Sequence, residues 1–214
     1  KEAIVCYKET FKLEEPDAYS FLYIGECYEN LEDHKQAMDY YQKAVELDEM
    51  LADAWAGIGV LTDYLGRTPE AMAYIKRAIN IEPDRGTFWS ILGDMQLKLG
   101  MLDSAEESLN KVIEFEPEQE DGWAMLAHFL LDQGRAEEAI VLMTRCMEIH
   151  QHSPDLVYLS CEVLLRAGRQ AEALIACTKA LDMDYFLHEK MLRELPSFGL
   201  NSEIRRLIEI YRPS

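Results

Sequence analysis

Cys146 and His150 stand four residues apart, a spacing that places a thiol and an imidazole on one helix face. There they could act as a nucleophile and its base, or share a metal ion. His188 and Glu189 open the pattern of a zinc-protease helix, but residue 192 is Leu where that pattern requires a second histidine. Gly57 and Gly59 have the spacing of a phosphate-cradling loop only if they lie outside a helix. The five cysteines include no CxxC pair, which suits free thiols in a reducing compartment, so a cytoplasmic location is expected.

The elements that carry these residues follow from a period of 34. Ala3, Ala37, Ala71, Ala105, Ala139 and Ala173 keep that step, as do Trp55, Trp89 and Trp123, and Gly66, Gly100, Gly134 and Gly168. A fixed period of this length marks stacked supersecondary units, each of which buries its apolar face against a neighbour. Within one unit Ala54, Trp55, Ile58, Leu61 and Leu65 recur at helical spacing, Gly66 interrupts, and Ala71, Ile75, Ala78 and Ile79 resume before Pro83. Each unit is therefore two helices joined at a glycine that accepts a positive φ. Gly57 and Gly59 fall inside a predicted helix, and Cys146 falls at the small position filled elsewhere by Ala44 and Ala78. A buried, unperturbed thiol is inert, and His150 belongs to the turn between units. No catalytic residue, cofactor or metal site is expected.

Large aromatic, Leu-Gly, Tyr, Gly, Ala, aromatic, Ala and Pro positions recur in order. They are Phe21, Ile24, Gly25, Tyr28, Ala37, Tyr41 and Ala44 in one unit, and Trp55, Ile58, Gly59, Gly66, Ala71, Ala78 and Pro83 in the next. Trp89, Leu92, Gly93, Gly100, Ala105 and Pro117 follow, then Trp123, Leu126, Gly134 and Ala139. The pattern resembles the tetratricopeptide repeat family. The resemblance implies an all-α, right-handed solenoid of antiparallel helix pairs. Five units are expected at 18–51, 52–85, 86–119, 120–153 and 154–187, the fifth degraded at Val157, Ser160 and Cys161. Residues 1–17 read as the second helix of a truncated repeat, with Ile4, Tyr7 and Phe11 open for self-association. Residues 188–214 read as a degenerate capping repeat, its first helix cut by Pro196 and its last capped by Asn201 or Ser202. A chain that starts at Lys1 without methionine is expected to be part of a longer protein.

The net charge of −19, from 21 basic against 40 acidic side chains, excludes phosphate-neutralising nucleic-acid binding and anionic membrane surfaces. No apolar run reaches the length of a membrane-spanning helix. In the family, partner contacts lie mainly on the first helix of each unit. Carried onto this sequence, those positions give Glu26, Glu29, Asn30, Asp63, Tyr64, Asp94, Lys98, His128, Leu131, Asp132, Tyr158, Glu162 and Arg166, and the neighbouring Tyr23 joins them as an apolar anchor. Tyr23 either anchors a partner or packs between units, and acids at the second position of each unit, such as Asp53, Asp121 and Asp155, serve equally well as first-turn caps. The basic clamp by which relatives hold chaperone tails is absent, since only Lys98 and Arg166 are basic here.

The lining suits a protein or peptide partner that carries Lys or Arg beside apolar anchors, although these acids also fit solvated surface in a chain acidic throughout. The expected role is a non-enzymatic interaction scaffold. The alternative is the docking arm of an enzyme whose catalytic domain lies outside this chain. Because Ala105 lies in a close helix contact, Ala105→Leu is expected to cost about 1–3 kcal/mol, read as a lower melting temperature; an unchanged melt would overturn the register.

Overall fold

In the computed structural model residues 15–212 are described. The expected half-repeat with Ala3, Ile4, Tyr7 and Phe11, and the self-association read from it, lie outside the described residues. Ten helices form five antiparallel pairs: α1 Ala18–Glu29 with α2 His34–Leu47, α3 Ala52–Tyr64 with α4 Thr68–Ile81, and α5 Gly86–Lys98 with α6 Leu102–Phe115; then α7 Glu120–Asp132 with α8 Ala136–Ile149, and α9 Pro154–Arg166 with α10 Gln170–Met183. Three shorter helices follow, α11 His188–Glu194, α12 Pro196–Leu200 and α13 Ser202–Tyr211, and no strand occurs among the described residues. The chain forms two compact units, one ending at Phe115 and one beginning at Glu116.

Each pair closes at a position where the backbone must turn left-handed. Gly66, Gly100, Gly134 and Gly168 have φ between 70° and 78°. The amide after the glycine reaches back five residues, as from Arg67 to the Thr62 carbonyl at 3.2 Å and from Met101 to Gln96 at 2.9 Å. This closure satisfies a carbonyl that the helix leaves open. In the first pair Glu32 takes the same conformation, with φ 58°, and Asp33 bonds to Tyr28 in the same way at 2.9 Å.

In the N-terminal unit Ala37, Ala44, Ala71, Ala78 and Ala105 are fully buried, and their short side chains let the helices nest. Tyr41 fills the space between α1 and α3. A Cβ added to Gly25 would lie 2.6 Å from its ring, and one added to Gly57 would lie 2.5 Å from it. Trp55 and Trp89 donate their indole N–H to carbonyls six residues earlier, Glu49 at 2.9 Å and Pro83 at 2.7 Å.

The C-terminal unit repeats that bond from Trp123 to Pro117 at 2.8 Å, and Trp123, Cys146, Cys161 and Cys177 are fully buried. Its last helices depart from the pairing rule. Pro196 starts α12 directly after Leu195, and the carboxylate of Glu162, 1% exposed, accepts from the Ser197 amide at 3.1 Å and the Phe198 amide at 2.8 Å. A carboxylate at unpaired N–H groups of a helix start is favourable in charge and in hydrogen bonding. Asn201 caps α13 through the amides of Glu203 and Ile204.

Two outcomes are expected from unfolding measurements. Glu32→Gly removes side-chain strain at a left-handed position and raises stability by about 0.5–1 kcal/mol after the entropy cost of glycine, whereas Gly100→Ala, with open space around the added carbon, loses stability through its backbone alone. Glu162→Gln turns a buried acceptor pair into a mismatched amide and costs about 1–3 kcal/mol; a melt equal to that of the parent would show that the carboxylate does not hold α12.

Candidate functional site

The candidate chemical groups are engaged in the packing of the C-terminal unit. The Cys146 thiol is pushed up to about 12 by burial and by the nearby Glu120 charge, and His150 turns its Nε2 to the Pro117 carbonyl at 2.9 Å. Cys161 donates to the Ala173 carbonyl at 3.2 Å, and its hydrogen bond with Cys177 together with burial raises its thiol as well. His188 is buried against Tyr185. Among the described residues no group of three His, Cys, Asp or Glu is placed to hold a metal ion.

In the N-terminal unit the first helices α1, α3 and α5 bring together Glu26, Glu29, Asp63, Asp94 and Lys98. Glu29 is engaged from beneath, because Tyr41 donates its hydroxyl to Oε2 at 2.5 Å. The Lys98 ammonium lies 2.5 Å from Asp63, and Thr68 donates to the same carboxylate at 2.6 Å. Burial opposes ionisation of Asp63, yet those two donors hold its carboxyl below the usual range. Arg85 pairs with Asp53 at 2.8 Å and stacks 4.7 Å over Phe88. Asp53 was ambiguous in sequence, and here it joins consecutive pairs.

Glu26 and Asp94 differ from these. Both are exposed and neither has an ion pair among the described residues. Partial desolvation, reinforced by Asp53 and Glu29, raises the Glu26 carboxyl; desolvation and the Asp63 charge raise that of Asp94 even though Lys98 opposes them. Close carboxylates with too few cations resist ionisation together. Tyr23 is 42% exposed and lies 6.4 Å from Tyr19, Asn30 is exposed, and Tyr64, 69% exposed, sets its ring 4.3 Å from that of His34.

The C-terminal unit takes three of the expected groove positions into its interior. Leu131, Tyr158 and Glu162 are buried. Tyr158 donates its hydroxyl to the Asp184 carbonyl at 3.0 Å and meets Phe198 edge-on, while Glu162 is consumed by the start of α12. For Tyr158 and Glu162 the reason is the early break at Pro196, which folds the following helix onto α9. His128 and Asp132 are exposed. Arg166 donates to the Leu131 carbonyl at 2.5 Å and lies 3.5 Å from Asp132.

The sequence reading passed over Lys190, which lies 3.0 Å from Asp155 and 3.8 Å from Glu194. Its signal was available: Lys98 and Arg166 each reach a partner 35 residues earlier, and Lys190 stands 35 residues after Asp155.

A search of curated proteins gives no match. Among solved structures the chain is similar to YrrB, described as a TPR protein with an unusual peptide-binding site, at 20% identity and a TM-score of 0.62 over 83% of this chain and 92% of that one. MamA aligns at 17% identity and 0.66 over 80% and 94%, and pilF of Pseudomonas aeruginosa at 15% and 0.65 over 91% and 88%. These likenesses show the all-α solenoid fold. Family models described as tetratricopeptide repeat match residues 18–50, and again 64–129 and 130–184. With helix pairs, turn glycines and buried alanines in the phase those matches require, the chain belongs to the tetratricopeptide repeat family.

Proposed function

We propose that this protein is a non-enzymatic interaction scaffold whose first-helix surface holds a peptide or helix carrying basic and apolar residues. One observation carries the reading: in the N-terminal unit the basic group of that surface, Lys98, is engaged by Asp63, while Glu26 and Asp94 have no ion pair among the described residues. The surface thus offers unneutralised negative charge beside exposed rings at Tyr23 and Tyr64. Complementary charge speeds encounter and selects the partner, and apolar anchors add affinity. Family membership supports an interaction role, and YrrB is a peptide-binding relative in fold.

The location that fits this reading is the cytoplasm. Cys27, Cys146, Cys161 and Cys177 are free thiols, and no described helix is long and apolar enough to cross a membrane.

Affinity capture from lysate at low salt, followed by calorimetry on the recovered partner, tests the proposal. Glu26→Lys with Asp94→Lys is expected to weaken binding at least about tenfold, or about 1.4 kcal/mol, without lowering the melting temperature. Unchanged affinity would place recognition elsewhere. The pH dependence has a defined sign. Both carboxyls are raised in the folded state, so the native chain holds more protons than the unfolded one there, and stability falls as pH rises through that range. A cationic partner favours the ionised forms, so its affinity falls as pH drops through the same range; Glu26→Gln with Asp94→Asn is expected to flatten both dependences.

A further inference from the structure

We propose that the C-terminal unit contains a pocket for a single lysine or arginine side chain of the bound partner, formed where α7, α9 and α11 converge. The assignment rests on the reading of the protein as a scaffold for basic partners and gives that reading a specificity site. The depression has a volume of about 230 Å³, below the roughly 300–1,000 Å³ of sites for small molecules, a size suited to one side chain.

Its floor is apolar, made by Ala124 of α7, Leu159 of α9, Met191 of α11 and Leu195, which follows α11. Its rim is acidic, with Glu120 and Asp121 on one side and Asp155 and Glu194 on the other. Lys190 is the one lysine or arginine in this lining and is already held by Asp155 and Glu194. Glu120 takes the Ser153 hydroxyl at 2.6 Å, and exposed Asp121 has no ion pair among the described residues. Four carboxylates thus line a pocket that contains one ammonium.

This division matches the two-part chemistry of long basic side chains, whose methylene stems cover apolar surface while their charged heads stay at a polar edge. A purely apolar occupant would desolvate the rim carboxylates without compensation, and an acidic occupant would meet like charge. The bridged Lys190 shows in place how an ammonium sits against this rim. Of the expected groove residues His128 alone lies here, exposed at the edge, where it adds an acceptor when neutral.

Methyl-resolved NMR on the whole chain, titrated separately with acetyl-arginine amide, acetyl-lysine amide and the uncharged acetyl-norleucine amide, tests the assignment. Single residues bind in the millimolar range, so saturation shifts are the readout. The expected result is movement of the Ala124, Leu159 and Met191 methyls with the two basic probes and not with norleucine. Asp121→Asn, an exposed change that keeps the fold, should weaken the basic probes about two- to fivefold, the contribution of an exposed ion pair, and Ala124→Phe should abolish the shifts by filling the floor.

Equal shifts from norleucine, or no effect of Asp121→Asn, would overturn the assignment. Shifts confined to methyls beside Glu26 and Asp94 would overturn this pocket and leave the scaffold reading standing. No shift anywhere with either cation would remove the basis for both.

Discussion

Close helix approach is the constraint on which this molecule depends. Each pair can nest only where side chains stop at Cβ or sooner, and fully buried Ala37, Ala71, Ala105, Ala139 and Ala173 supply that at one phase of the repeat. Once the backbones are near, the larger residues have defined spaces to fill, and Tyr41 lies against Gly25 and Gly57 for this reason. Interiors of this kind resist added volume as strongly as lost volume.

The ion pairs follow the same geometry at the surface. Stacking of equivalent helices brings residues about one repeat apart into reach, so Arg85 meets Asp53, Lys98 meets Asp63 and Lys190 meets Asp155 along the first helices, and Arg169 meets Glu137 along the second. Single exposed pairs contribute little to stability. Their larger effect is on the charge left over, because they neutralise chosen carboxylates, while Glu26 and Asp94 in the N-terminal unit and Asp121 in the C-terminal unit have no ion pair among the described residues.

The fold was legible because its cause is local and repeated. Glycine, alanine and tryptophan at one period specify turns, contacts and fillers in turn, so the succession of helix pairs and the break at Pro196 could be read from residue types. The site was less legible, because exposure depends on what covers a helix. Glu26, Asp94 and Glu162 share one phase in sequence, yet the degenerate end of the chain folds over α9 and takes Glu162, Tyr158 and their surroundings inside. The turn at Glu32 was missed for a different reason: a glycine signal was sought, and a charged residue occupies the place at a strain the surrounding hydrogen bonds hold.

The tryptophan bonds carry a consequence for where this chain tolerates growth. Indole groups of Trp55, Trp89 and Trp123 each tie a helix to a carbonyl six residues upstream, so the connection between one pair and the next is gauged by a rigid ring and cannot lengthen without losing that bond. The turns inside a pair have no such gauge, and the glycines there face open space. Added sequence is therefore accommodated after Gly66, Gly100 or Gly134, while between pairs the chain grows only by whole repeats.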